Sequence, residues 1–252
     1  QAQRALLIAR QQLEASLALS APDSSRAQRL LTEIPHVAEL CGLSVSDLTD
    51  ELAFRRVQLA IASGNDAEID VAVASLDKSA TPFAQGARML ALRRAIEGSR
   101  AAPSSVDASR RIVSIGDRVV ATLDDQKQFD ARANALRDEV AGAAAAVFRE
   151  SGETSLRDLA MRIDRGMYER GGRFTASLRR LAEMSEQTGD TALALECWKL
   201  LVSGVREEQP LWFEARFRSI VLLSKFDVGA ARDAFRLFEL SHPNFGPAAW
   251  AP

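Results

Sequence analysis

Residues 178–201 read LRRLAEMSEQTGDTALALECWKLL. Apolar side chains recur at helical spacing on both sides of Gly189-Asp190, a pair that punctuates the run as a turn. Two antiparallel helices joined by so tight a turn approach closely only where each carries a small residue at the crossing, with a bulky neighbour filling the gap beside it. Ala182 before the turn and Cys197 after it are the small residues, and Trp198 is the bulky neighbour. The stretch therefore predicts a helix hairpin.

The pattern returns at a spacing of 37 residues, which places Gly152-Glu153, Gly189-Asp190 and Phe226-Asp227 under one another. Ala145, Ala182 and Ser219 then form one small column, and Ala160, Cys197 and Ala234 a second. Met161, Trp198 and Phe235 follow as large residues expected to pack, and Ile163, Leu200 and Leu237 as aliphatic ones. Helix pairs are expected over 126–150 with 154–168, 173–187 with 190–204, and 210–224 with 227–240. One such hairpin cannot bury its apolar face alone, so successive hairpins must stack into a curved array with a continuous core.

Small residues at fixed places in both helices, a Gly-Asp turn and a proline near the end of a unit resemble the tetratricopeptide repeat. Trp198, Pro210, the stretch Leu211-Trp212-Phe213-Glu214-Ala215-Arg216-Phe217, Ala231, Phe235 and Pro243 carry the likeness, which covers about residues 126–243. That family repeats at about 34 residues, so the longer period here extends helices or connections. The resemblance implies an all-α fold, a right-handed α-solenoid of antiparallel helix hairpins, with a protein as its ligand. The Trp-Phe-Glu-Ala-Arg and His-Pro-Asn-Phe-Gly segments are also similar to the C-terminal repeats of large bacterial repeat proteins.

Upstream, strand signals are nearly absent and helix-length segments lie between breakers such as Pro22, Pro35, Gly64-Asn65 and Pro82. Helices are expected at 2–19, 24–33, 36–41, 46–63, 66–78, 82–97 and 104–122. Residues 1–123 thus read as degenerate helical repeats and 124–252 as the tetratricopeptide-like part of one continuous array, with Ser99 to Ser105 as the expected loop or hinge.

With 252 residues, 47% of them hydrophobic and 26% charged, the chain has the composition of a globular protein with a core of its own. A net charge of −2 supplies no field to gather nucleic acid or an anionic bilayer. The longest apolar run, Gly142 to Phe148, falls far short of the roughly 20 residues that cross a membrane. Cys41 and Cys197 are too few and too far apart for a disulfide framework or a metal knuckle, and His36 and His242 sit at expected helix ends. No catalytic motif is present, so no enzyme activity, cofactor or metal is expected. A start at Gln1 rather than Met suits either a piece of a longer protein or removal of a signal peptide, which leaves a periplasmic or cell-envelope location open beside a cytoplasmic one.

Of 32 basic residues only four are lysines, and seven arginines fall between Arg157 and Arg180. Guanidinium groups grip carboxylates and phosphates bidentately, so Arg162, Arg165, Arg179 and Arg180 are candidates to hold an acidic ligand. The blander account pairs them with neighbouring acids on helix faces. Arg216, Trp212 and Trp250 complete the candidate partner-binding set, the tryptophans as anchors open to a partner. The favoured expectation is a non-enzymatic protein-interaction scaffold or assembly subunit that holds a peptide, a helix or a neighbouring subunit. An arginine-mediated phosphate or nucleic-acid binder is the alternative.

Overall fold

The computed structural model describes residues 2–18, 23–76, 79–102, 105–125, 127–207 and 209–243. Among the described residues every regular element is helical, as the periodicity requires. The chain divides into two compact units, Gln1–Phe129 and Asp130–Pro252. Of the Ser99–Ser105 stretch, expected as a loop or hinge, Ser99–Ala101 form the end of a helix in the first unit, and Pro103 and Ser104 lie outside the described residues.

In the first unit α1 (Ala2–Leu17) packs on α2 (Ser24–Leu40), and a 3-10 turn at Val45–Leu48 leads into α3 (Thr49–Ser63). Next come α4 (Asp66–Ala74), α5 (Pro82–Ala101) and α6 (Val106–Asp125), with α5 lying against both α3 and α6. Leu6, Leu13, Leu31, Ile34 and Leu52 share one buried cluster. Asn65 accepts the Glu68 amide to cap α4, and Thr81 accepts the Ala84 amide ahead of Pro82 at the start of α5. The helices expected at 24–33 and 36–41 are a single helix that runs through Pro35. Leu30, Leu31, Ile34 and Ala38 keep one buried face across the proline. Burying such side chains is worth about 1.5–3 kcal/mol each for the large ones, enough to offset the missing backbone hydrogen bond and ring clash of about 3 kcal/mol.

Two polar clusters tie this unit together. The Asp50 carboxylate accepts hydrogen bonds from the Ser79 and Thr81 hydroxyls, while the fully buried Arg88 donates to the carbonyls of Leu76 and Ser79. Arg111 bridges Asp66 at 2.8 Å and Asp70 at 3.0 Å, and Arg94 adds a contact to Asp66 at 3.3 Å. Burial alone would raise the Asp66 pKa, but Arg111 and Arg94 more than reverse this and hold it below its ordinary value.

The second unit comprises α7 (Ala131–Ser151), α8 (Thr154–Glu169), α9 (Thr175–Thr188), α10 (Thr191–Gly204), α11 (Pro210–Leu223) and α12 (Val228–Ser241). Each helix packs on the next, and α7 also meets α9. The second helices of the three pairs begin at Thr154, Thr191 and Val228, each 37 residues after the last. At the first two turns Gly152 and Gly189 take left-handed φ values of 72° and 82°, a conformation that costs other residues about 1–2 kcal/mol. Phe226 occupies the third position, so α11 stops earlier, at Leu223, and residues 224–227 make a longer link. Asp190 and Asp227 accept the amides of Leu193 and Ala230, capping α10 and α12. Residues 127–130, expected within the long helix from 126, precede it, and α7 starts at the Asp130 cap.

Burial follows the columns through two copies and relaxes in the third. Ala145, Ala160, Ala182 and Cys197 are each 0% exposed, and so is Trp198. Ser219 is buried and Ala234 half-buried. Phe235, expected to pack like Trp198, is 39% exposed although it still contacts a neighbouring group, and Leu237 is 59% exposed. The inward stripe of α12 is instead carried by Ala231 and Phe238.

Candidate interaction cleft

A cleft of about 660 Å³ runs beside α9, lined by Gly142 and Arg149 of α7, by Ala176, Arg179, Arg180 and Glu183 of α9, and by Leu211 of α11. The three helices are the first members of successive pairs. Helical spacing puts residues three, four and seven apart on one face, and this is the spacing of the α9 lining and of Gly142 with Arg149.

Each guanidinium in the cleft is already answered by acids. Arg179 donates to Glu183 at 2.9 Å and reaches Glu214 of α11 at 2.9 Å, where the Glu214 side chain is only 9% exposed. Arg149 approaches Glu183 at 3.5 Å. Arg180 makes two bonds to Asp164, at 3.0 and 2.8 Å, and a third to Asp138 at 2.6 Å. Asp164 is fully buried, and desolvation raises its carboxyl above the usual range despite Arg180. Burial works against the charge on Arg180, but Asp164 and Asp138 outweigh it and raise the guanidinium pKa. Arg180 is thus a strut between α7, α8 and α9, with its edge in the cleft.

Arg179 and Arg180 are therefore the two sequence candidates that the structure brings together. Arg165 lies on α8, paired with Asp190 at 3.0 Å, and is not part of the cleft lining. Arg162 is exposed on α8 and also engages a neighbour. Arg216, one repeat step beyond Arg179, is half-buried on α11 and makes no side-chain ion pair among the described residues. Trp212, expected as an open anchor, is 9% exposed. Its indole donates to the Val202 carbonyl at 3.1 Å, and its ring lies against Phe213, Phe238 and His242. That aromatic packing removes it from any partner surface. Trp250 lies outside the described residues. Arg149 escaped sequence reading because nothing local marks it; its place seven residues beyond Gly142 was the available signal.

The electrostatics are those of a hydrogen-bonding wall with no positive surplus. Arg149, Arg179 and Arg180 face four carboxylates, Glu183, Glu214, Asp138 and Asp164. Burial pushes the Cys197 thiol on α10 up to about 12, with Glu196 adding to the effect. Among the described residues no group of three or more His, Cys, Asp or Glu side chains is arranged to hold a metal ion. None of the described helices is long and apolar enough to cross a membrane. Comparisons of the chain with family models, curated proteins and solved structures find no match.

Proposed function

We propose that the chain is a non-enzymatic protein-interaction module of tetratricopeptide-like helical repeats, stacked as a right-handed solenoid, and that the α7–α9–α11 cleft receives an extended segment of another protein. One observation carries this reading: the cleft lies along the first helices of successive 37-residue pairs, so a ligand laid across them meets a repeated surface. Arg149 and Arg179 supply donors at its wall, and Glu183 lies between them as an exchangeable acceptor. An acidic or amide side chain of the ligand would take over part of that role.

The phosphate or nucleic-acid reading is less well supported, because the acids around these arginines leave no positive surplus. Panning a random peptide library against the full chain tests the favoured reading. Enriched peptides should bind the wild type and lose binding to Gly142→Trp, which fills the cleft at a position where a Cβ makes only ordinary contact, 3.5 Å from Arg180. Failure to enrich any sequence, or equal binding to both proteins, would refute the cleft as the site.

A further inference from the structure

Arg180 is 9% exposed, and two of its three guanidinium nitrogens are committed to the fold. Nε donates to Asp164, and Nη2 donates to Asp164 and Asp138. Nη1 has no acceptor among the described residues. It is not sealed in the core, because it borders the α7–α9–α11 cleft beside Gly142. A side chain nine-tenths buried thus brings two unanswered N–H groups to one fixed point of the cleft wall.

Gly142 is what leaves that nitrogen uncovered. It stands between Ala141 and Ala143 in the interior of α7, where glycine is a poorer helix former than alanine. A Cβ at this position would lie 3.5 Å from Nη1. The nearby acceptor is Glu183, one turn along α9 on the same face. Its carboxylate receives Arg179 at 2.9 Å and Arg149 at 3.5 Å. A carboxylate accepts at about four positions, so Glu183 keeps capacity for another donor. The cleft therefore offers a donor and an acceptor side by side.

Charge decides which ligand can use both. Arg149, Arg179 and Arg180 face Glu183, Glu214, Asp138 and Asp164, so an incoming carboxylate or phosphate meets an excess of acids. An ionised carboxylate also has no proton to give Glu183. A backbone peptide group points its C=O and N–H in opposite directions and reaches only one of the two. A primary amide is neutral and carries an accepting oxygen and a donating NH2 on one carbon.

We infer that the cleft selects a primary amide, the side chain of an Asn or Gln in the bound segment, with its oxygen on Arg180 Nη1 and its NH2 on Glu183. The inference rests on the cleft being the ligand site and names the chemistry recognised there.

Propionamide and propionate, alike in size and shape, are the probes. Titrated into the 15N-labelled full chain, propionamide should shift the backbone NMR signals of Gly142 and Arg180 with a millimolar dissociation constant, the range open to so small a ligand. Propionate should bind about tenfold more weakly or worse, since it brings like charge to the acids. Gly142→Leu, which lays a side chain over Nη1, should abolish the response to propionamide. Glu183→Ala removes the acceptor and one negative charge, and should reverse the preference so that propionate binds the tighter. Unchanged circular dichroism checks the folding of both variants. A wild type that does not bind propionamide, or binds the two probes equally, overturns the inference, as does an unreversed preference in Glu183→Ala. Peptides that enter the cleft without Asn or Gln would sink the amide rule and leave the cleft reading standing. Propionamide binding by a chain that selects no peptide would sink that reading alone.

Discussion

The indole of Trp198 donates to the carboxylate of Glu186 at 2.6 Å, and the other oxygen of that carboxylate reaches Arg218 of α11 at 3.3 Å. Trp198 is wholly buried in α10 and Glu186 closes α9, so one acid joins the two helices of a hairpin to the first helix of the next. A buried N–H loses most when its acceptor is removed and nothing replaces it. Glu186→Ala is therefore expected to destabilise the second unit by about 1–3 kcal/mol. Urea unfolding followed by tryptophan fluorescence measures this. A double-mutant cycle with Trp198→Phe should return less than additive losses, since both changes remove one bond.

The narrow columns make a sharper test of the repeat. Ala182 is 0% exposed, whereas Ala234, the last member of the other small column, is half-buried. Ala182→Leu should cost about 1–3 kcal/mol through overpacking. Ala234→Leu should stay within about 0.5 kcal/mol of wild type. Equal losses at the two positions would mean that the columns are not the crossing points.

Acid titration should separate the two units by sign. Asp164 has a folded pKa above its unfolded value of 3.8, so the native state binds more protons between the two values. Its contribution to stability falls as pH rises through that window. Asp66 is the reverse: its folded pKa lies below 3.8, and its contribution is present above 3.8 and lost as pH falls through the folded value. Unfolding free energies measured against pH for Asp164→Asn and Asp66→Asn, each referred to wild type, should therefore show slopes of opposite sign. Parallel slopes would contradict the assigned environments.

Pro35 sits inside a continuous α2, where it withholds one backbone donor. Pro35→Ala should stabilise the first unit by about 1–3 kcal/mol, the bulk of the helix-interior penalty. Thermal unfolding gives the answer directly, and a lower melting temperature would show that the ring contributes packing that outweighs the lost bond.

Position 35 also shows where sequence reading stops. The helix-breaking residue is local and loud, whereas the evidence against a break, a buried face shared by Leu31, Ile34 and Ala38, only gains its weight from helices elsewhere in the chain. The second unit was more legible because its signals repeat: the turns at Gly152 and Gly189, and the small residues at 145, 160, 182 and 197, each fixed by local sterics and then copied. The candidate site was only partly legible. Arg179 could be picked out, but not its ties to Glu183 and to Glu214, the second of which needs α9 and α11 side by side. Trp212 misled for the same reason. Its burial depends on Phe238 and His242, from a helix further along the chain.

The second helices of the three pairs keep an equal step, from Thr154 to Thr191 to Val228. Excising residues 153–189 would leave Gly152 followed directly by Asp190, splicing α7 to α10 across an intact Gly-Asp junction with Ala145 now opposite Cys197. A cut one residue longer or shorter would rotate every following side chain by about 100° around its helix axis. A cut of 37 residues keeps the junction in helical register, and a cut of 36 or 38 does not.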